Sequence, residues 1–281
     1  MPEHIKKLSK EKQIEWLELQ LNSFRKHQEA EEEAKAVLKA YRKRVKEEYK
    51  HKHPHLLQLD GWKFTTSFID AMNGSDDQKM RIMDKVNKEL YSIDMLQQKT
   101  CVEILEEIEH FEAWCDKNGL CVHRPNSMNN YGAILDDFGF TDVLSALMKT
   151  YINPLSRLKW GYIGGTLDEH HGFIVEYKIG KDTDLGFHVD DSDVTLNLCL
   201  GKNFTGGDLY FGGVRCNHHQ QTAPKQNENI TFAHKKGFGL LHLGKHRHAA
   251  GHINDGERFN LILWCRSTKF REKLSQLLSC P

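Results

Sequence analysis

The short motif His188-Val189-Asp190 constrains this chain of 281 residues more than any other feature. It lies among segments rich in β-branched and aromatic residues, a composition that favours strands. Because a strand turns every second side chain to the same face, His188 and Asp190 would point the same way. Two such side chains can bind one metal ion together, so the motif predicts a strand that carries part of a metal site.

A third ligand would have to come from a distant histidine. Two imidazoles and one carboxylate on one face of a metal are typical of non-haem Fe(II), because they leave positions open for substrate and oxygen. The segment that could supply this histidine contains His242, His246, His248 and His252. The last three share strand parity, so alternation does not choose among them. From the residues alone, two alternatives also stay open: polar surface histidines and a zinc site.

The motif is framed by further segments with the pattern of short strands, separated by glycine and aspartate. These predicted strands lie at 173–177, 194–198, 206–211 and 259–264, and residues 254–256 predict a turn before the last of them. Thr195 and Asn197 are two residues apart on an otherwise apolar strand. They therefore predict the polar, inward face of a pocket.

The first half of the chain has helical patterns instead. Apolar residues at spacings of three and four predict a helix over 10–50, and similar patterns predict helices over 78–91 and 94–115. The dipeptide Asn118-Gly119 would stop the last of these. Helices followed by strands predict an α+β architecture.

The N-terminal helical region carries an uneven distribution of charge. Residues 35–52 contain eight lysines and arginines and two glutamates. A solvated helix face explains this pattern, and so does a surface for nucleic acid or an acidic partner, because clustered cations attract phosphates.

The composition of the whole chain narrows the class of protein. The formal net charge is zero, so the chain as a whole is not a polyanion binder. No apolar run approaches the roughly 20 residues of a membrane span, and the N-terminus has no apolar signal core. The seven cysteines include no C-x-x-C pair and predict reduced thiols. We therefore expect a cytoplasmic or nuclear protein with no membrane partner.

The order of these segments resembles the iron- and 2-oxoglutarate-dependent oxygenases, in particular their prolyl 4-hydroxylase-like branch. The resemblance covers residues 172–267, which contain YKIGKDTDLGFHVDDSDVTLNLCLGKNFTGGDLYFGG and later HRHAAGHINDGERFNLILWCR. The upstream stretch RPNSMNNYGAIL, residues 124–135, is similar to a subfamily named for a 2-oxoglutarate and iron-dependent oxygenase domain. The resemblance implies a double-stranded β-helix (jelly-roll) core, Fe(II), 2-oxoglutarate as co-substrate and L-ascorbate as a reductant.

The resemblance also implies roles for individual residues. His248 is favoured as the third ligand, because it precedes Arg258 by the family interval of ten residues and begins the His-small-small pattern at 248–250. Proline is usual in the family where His252 stands, so His246 and His252 remain competitors. Arg258 would bind the remote carboxylate of 2-oxoglutarate through its planar fork. Tyr177 matches a tyrosine that donates to the same carboxylate, and Thr195 and Asn197 would line the same pocket.

Three parts follow from this interpretation. Residues 1–54 are predicted to form a charged helical extension that Pro54 ends, residues 55–160 a mainly helical support region, and residues 161–281 the oxygenase core. The chain is therefore predicted to have an α+β fold with a jelly-roll core and a helical N-terminal region.

The resemblance predicts an enzyme, a 2-oxoglutarate-dependent dioxygenase that consumes O2 and releases succinate and CO2. The expected reaction is hydroxylation of a proline or lysine side chain in a protein. The carboxylate of Asp190 favours hydroxylation, because related halogenases replace this ligand. Two other functions remain open: a nucleic-acid oxygenase or demethylase that uses the basic segment 35–52, and a non-catalytic binding module that has kept the metal site.

Overall fold

The computed structural model describes residues 1–163, 165–216, 219 and 222–276. They belong to two compact units, Met1–Tyr49 and Lys50–Pro281. The six described cysteines form no disulfide, and Cys280 lies outside the described residues. No helix in the described ranges has both the length and the apolar character that a bilayer span requires.

The first unit consists of α1, Glu3–Lys6, and the long helix α2, Lys10–Glu48. Ser9 caps α2, since its side chain accepts a hydrogen bond from the backbone N–H of Lys12. The structure confirms the helix predicted over 10–50. Four apolar residues at helical spacing are 49–58% exposed on α2: Ile14, Leu17, Leu21 and Phe24.

The helices of the second unit are α3 Thr66–Asn73, α4 Asp76–Arg81, α5 Gln98–Lys117, α6 Thr141–Leu147, α7 Asn153–Lys159 and α8 Thr268–Gln276. A single π-helical stretch, Met148–Ile152, joins α6 to α7. Helix α5 confirms the third predicted helix, shifted by a few residues, and Asn118 is its C-cap.

The helix predicted over 78–91 is wrong beyond its first turn. Helix α4 ends at Arg81, and the chain then forms the hairpin of β1, Asp84–Asn87, and β2, Leu90–Asp94. Strand β2 pairs with residues 238–242, which form another strand of the large sheet. The tertiary pairing therefore overrides a local helical pattern.

Ten further strands follow: β3 Gly132–Ile134, β4 Glu169–Lys178, β5 Leu185–His188, β6 Val194–Gly201, β7 Phe204–Gly206, β8 Leu209–Val214, β9 Asn229–Phe232, β10 Phe238–Leu243, β11 His246–Ala250 and β12 Ile253–Arg266. The large antiparallel sheet has the order β1-β2-β10-β6-β12-β4-β3, with β7 paired to β12. The small sheet has the order β5-β11-β8-β9.

The predicted turn at 254–256 is wrong, because β12 runs through it. Asp255 pairs with Thr205 and Gly256 with Phe204, so the start of β12 forms its own ladder with β7. Gly256 has a φ of +77°, and a Cβ atom there would meet the backbone of Asn203. A positive φ with so little space requires glycine.

The core lies between the two sheets. Its residues come from the inner faces of both: Leu90, Phe173, Val175, Tyr177, Leu209, Phe211, Leu240, Ala250, Ile253, Ile262 and Trp264. The outer face of β6 packs on α5. Two facing antiparallel sheets with flanking helices confirm the α+β prediction with a jelly-roll core.

The predicted division at residues 54 and 160 stays a prediction. Strands β1, β2 and β3 come from the part expected to be a helical support, and they extend the large sheet at its two edges. The support region therefore contributes strands as well as helices.

Candidate active site

Three side chains that could hold a metal ion meet beside the paired strands β5 and β11 of the small sheet. His188 ends β5 and pairs in register with His248 on β11, and Asp190 follows two residues after β5. One ligand atom from each of His188, Asp190 and His248 lies within 4.8 Å of the other two. A single ion can therefore contact all three side chains.

Backbone carbonyls orient both imidazoles. His188 Nδ1 lies 2.8 Å from the carbonyl oxygen of Gly186, and His248 Nδ1 lies 2.9 Å from that of His246. A carbonyl only accepts hydrogen bonds, so each Nδ1 carries the proton. Each neutral ring then presents the lone pair of Nε2 to the site. The Nε2 atoms lie 3.7 Å and 3.6 Å from Oδ1 of Asp190, for His188 and His248 respectively.

The other carboxylate oxygen of Asp190 accepts a hydrogen bond from a residue of the large sheet. Thr195 Oγ1 donates a hydrogen bond of 2.6 Å to Asp190 Oδ2, and Ser192 Oγ lies 2.7 Å from the same hydroxyl. The backbone N–H of Asp190 donates to Gly244 O at 2.9 Å. Asp190 is thus fixed with Oδ1 turned toward the two imidazoles. The structure places Thr195, predicted as a pocket residue, against the carboxylate of Asp190, a candidate metal ligand.

Burial sets the protonation of His188. Removal from water, followed by the neighbouring His248, lowers the pKa of His188 to about 4. At neutral pH His188 is therefore uncharged and does not have to lose a proton before it binds a metal ion.

The competing histidines point elsewhere. His246 Nδ1 lies 3.4 Å from the carbonyl oxygen of Glu89, and His252 is 57% exposed with its Nδ1 3.5 Å from Asp184. His246 comes two residues before His248 on β11, and His252 lies beyond the end of that strand, so neither ring joins Asp190 although the three share strand parity. Among the described residues, the cluster with Asp190 contains His248 and neither competitor.

The ligand cluster lies in a cavity between the two sheets that encloses about 440 Å³, its mouth included. All seven residues predicted for metal and co-substrate line this cavity: Tyr177, His188, Asp190, Thr195, Asn197, His248 and Arg258. The fold therefore brings them together, although they come from β4, β5, β6, β11, β12 and the loop after β5.

Arg258 is buried in the cavity wall with 1% of its surface exposed. It donates through Nη1 to the carbonyl of Gly207, and its guanidinium lies 4.4 Å from the ring centroid of Tyr177. Its Nε atom has no hydrogen-bond partner in the described part of the chain. Burial lowers the pKa of Arg258 from its ordinary value. A buried cation whose contacts are a carbonyl and a ring is suited to an anionic guest.

Gly207 has to be glycine for Arg258 to lie in this position. Its φ is +66°, and a Cβ atom there would lie 3.0 Å from Nη1 of Arg258. A larger residue would push the guanidinium away and would also strain the backbone. Glycine at position 207 therefore leaves room for the guanidinium of Arg258.

Two other cations, at opposite ends of the β4–β12 pair, are already paired. Lys178 forms an ion pair with Glu257, and Arg266 Nη2 lies 2.8 Å from Asp191. Neither Lys178 nor Arg266 lines the cavity. Arg258 is thus the better candidate for binding a carboxylate in the cavity.

Several asparagines complete the polar wall. Asn129 Nδ2 donates to the hydroxyl of Tyr177 at 3.3 Å, and Asn260 Nδ2 donates to Asn197 Oδ1 at 2.6 Å. Asn260 Nδ2 also lies 3.0 Å from Nδ1 of His234. Burial, followed by the charge of Arg258, lowers the pKa of His234 to about 3, so this ring is neutral. The predicted residues Tyr177 and Asn197 are therefore members of a hydrogen-bonded wall.

Sequence reasoning missed Asn126, Asn129, Asn260 and Trp264 as cavity residues. Asn260 and Trp264 share the strand parity of Arg258, so alternation along β12 could have found them. Asn126 and Asn129 come from the irregular segment between α5 and β3. In the sequence they belonged to the stretch 124–135, which is similar to a subfamily but to which no role was assigned.

The donor set suits the two groups that the sequence resemblance implied. Two neutral imidazoles and a carboxylate that leave one side of the cluster open match Fe(II). The unpartnered Nε of Arg258 and the polar wall beside it match a dicarboxylate such as 2-oxoglutarate. A closed four-coordinate zinc site would need a fourth protein ligand, and the described cluster offers three.

A family model described as the OGFOD2-like domain matches residues 45–165. The chain is 44% identical over 235 residues to the 2-oxoglutarate and iron-dependent oxygenase domain-containing protein CP2 of Arabidopsis thaliana, covering 83% of this chain and 60% of that protein. It is 34% identical to the 2-oxoglutarate and iron-dependent oxygenase domain-containing protein 2 of Danio rerio, covering 84% of this chain and 67% of that protein. The chain thus spans about 60% of the length of its Arabidopsis relative.

A solved prolyl hydroxylase from Trichoplax adhaerens, in complex with a hypoxia inducible factor peptide fragment, has a similar fold. The TM-score is 0.52 at 14% identity, and the likeness covers 77% of this chain and 98% of the other. At this identity the likeness concerns the fold, and it agrees with the two-sheet core described above.

Proposed function

Since the chain belongs to the family of 2-oxoglutarate and iron-dependent oxygenase domain-containing proteins, we propose that it is a dioxygenase that hydroxylates a proline or lysine side chain of a protein. The observation that carries this proposal is the joint presence, in one cavity, of a cluster of two histidines and a carboxylate and of a buried arginine. A metal-binding module without catalysis would have no use for the arginine.

The residues of the chain would divide the work as follows. His188, Asp190 and His248 would bind Fe(II), and Arg258 and Tyr177 would bind the remote carboxylate of 2-oxoglutarate. When bound, the metal and co-substrate supply the oxidising chemistry: O2 is reduced, 2-oxoglutarate loses CO2 to become succinate, and one oxygen atom enters a C–H bond of the substrate. L-Ascorbate would keep the metal reduced between turnovers.

The chain itself would position the metal-binding side chains and exclude water from the cavity. The carbonyls of Gly186 and His246 fix the two imidazoles, and Thr195 fixes Asp190. The apolar cavity residues, among them Phe173, Val175 and Leu209, keep water away from the reacting atoms. A protein substrate would approach through the mouth of the cavity. The prolyl hydroxylase with a similar fold binds a peptide, which supports a peptide here.

The proposal is tested by incubating the full chain with Fe(II), ascorbate, 2-oxoglutarate and a cell extract, with succinate and modified peptides as readouts. We expect succinate formation, and peptides that gain one oxygen atom on proline or lysine. Oxidised nucleobases in place of modified peptides would show a nucleic-acid oxygenase. Iron binding without succinate under every condition would show a binding module and contradict the proposal.

We further propose that the first unit binds the substrate or a partner and is not required for catalysis. All seven candidate residues lie in Lys50–Pro281, whereas α2 exposes an apolar stripe and the basic segment 35–52. Residues 51–53 contact α5 through Glu106 and Glu107, so a truncated chain should begin at Lys50 instead of after Pro54.

We expect a chain that begins at Lys50 to bind metal and 2-oxoglutarate as the full chain does, and to produce succinate at a similar rate without substrate. Titration calorimetry and the succinate assay measure this. Loss of 2-oxoglutarate binding in a folded, truncated chain would make the first unit part of the catalytic core.

A further inference from the structure

A second cluster of two histidines and one carboxylate lies outside the candidate active site. One ligand atom from each of His53, His55 and Glu103 lies within 4.8 Å of the other two. None of these residues lines the cavity that holds Asp190. The side chains are partly accessible, with 18% of His53, 45% of His55 and 15% of Glu103 exposed.

The cluster joins a tight turn to a long helix. The sequence HKHPH at 51–55 leads into a 3-10 turn, Pro54–Leu57, and Glu103 lies on α5. Contacts that do not involve the two imidazoles fix the turn. The backbone N–H of His53 donates to Glu107 Oε2 at 2.7 Å, and Trp62 Nε1 donates to the carbonyl of Leu56 at 2.9 Å. Both sets of ligands are therefore carried by ordered backbone.

The distances are close to those of a metal site. His55 Nε2 lies 3.1 Å from Glu103 Oε2, and the rings of His53 and His55 meet edge to face at 5.7 Å. In a tetrahedral zinc site, bonds of about 2.0–2.2 Å place neighbouring ligand atoms roughly 3.3 Å apart. One pair thus already has this separation, and small rotations of the side chains bring in the third atom.

A candidate for the fourth ligand lies beside the cluster. Glu106, one helical turn after Glu103, places Oε2 2.7 Å from Nε2 of His53. Its other neighbour is Lys52, whose Nζ lies 3.0 Å away, and Lys99 Nζ lies 3.7 Å from Glu103 Oε1. Both lysines are about half exposed or more, at 47% and 70%, so they can move into solvent when a cation binds.

We propose that His53, His55 and Glu103 bind a Zn²⁺ ion, with Glu106 or a water molecule as the fourth ligand, and that the ion fastens the 54–57 turn to α5. Imidazole nitrogen together with carboxylate oxygen suits zinc, whereas magnesium and calcium prefer oxygen alone. Each ring lies beside a carboxylate of its own, His53 beside Glu106 and His55 beside Glu103. What favours a shared ion is that one ligand atom from each of His53, His55 and Glu103 lies within 4.8 Å of the other two.

The test uses the full chain with His188→Ala, Asp190→Ala and His248→Ala combined, so that the candidate active site cannot bind the probe. Zn²⁺ is titrated in competition with a coloured chelator, and Co²⁺ replaces it for visible spectroscopy. We expect one Zn²⁺ per chain with a Kd on the order of 1 μM or tighter. Magnesium should not compete, and Co²⁺ should give the absorption of a tetrahedral site.

In that background, His53→Ala, His55→Ala and Glu103→Gln should each weaken zinc binding by at least about 10-fold. The matched control is His27→Ala, because His27 pairs with Glu31 at 3.2 Å and belongs to no three-ligand cluster among the described residues. Zinc should also raise the melting temperature by on the order of 5 °C at 100 times Kd.

Zinc binding that persists in His55→Ala and Glu103→Gln, or no binding at 100 times the expected Kd, would overturn the proposal. These two variants change partly exposed side chains, so they decide the matter even if His53→Ala fails to fold. Thermal unfolding without zinc identifies any variant that is misfolded.

Discussion

Replacing any one of His188, Asp190 and His248 by alanine is expected to abolish iron-dependent succinate production and to leave the fold intact. Each side chain would supply one of three protein bonds to the metal, so its loss would remove a third of the ligand set. Removal of outer partners of metal ligands already costs about 10- to 100-fold in affinity, and we expect the loss of a ligand to exceed about 100-fold. Iron titration, succinate release and thermal unfolding measure affinity, activity and fold.

His252→Ala is the matched control for this series, because His252 is exposed and pairs with Asp184 outside the cluster. It should keep iron and activity. His246→Ala removes a buried ring and should lower the melting temperature more than the iron affinity. If His248→Ala retains iron while His246→Ala or His252→Ala loses it, the third ligand has been assigned to the wrong histidine.

Arg258→Ala is expected to weaken 2-oxoglutarate binding far more than iron binding. A hydrogen bond to a charged group contributes about 1.5–3 kcal/mol, and a carboxylate left unpaired in a buried pocket can cost more. The affinity for 2-oxoglutarate should therefore fall on the order of 10- to 100-fold or more. Titration of 2-oxoglutarate without oxygen, at saturating iron, measures this.

Arg266→Ala is the control for Arg258→Ala, because Arg266 pairs with Asp191 and does not line the cavity. It should leave 2-oxoglutarate affinity unchanged. Equal affinities in wild type and Arg258→Ala, with a loss in Arg266→Ala or Lys178→Ala, would move the carboxylate site to another cation.

Local patterns were enough to predict much of the fold. Helix α2 and helix α5 followed from apolar spacing, and the inward face of β6 followed from the position of Thr195 and Asn197 two residues apart. Such patterns succeed because helix and strand repeat side-chain direction with fixed periods. The pattern failed at 78–91, where β2 pairs with β10 across a large separation in the sequence.

The sequence by itself indicated that His188 and Asp190 could bind one metal ion together, because side chains two residues apart on a strand point to the same face. The family resemblance added Arg258 as the carboxylate-binding residue and favoured His248, which precedes it by ten residues. Only the tertiary structure decided that His248, and neither His246 nor His252, lies beside Asp190, because the pairing of β11 with β5 sets His248 opposite His188. It also brought Asn129 to Tyr177 and Gly207 to Arg258, contacts between segments about 50 residues apart that no local pattern encodes.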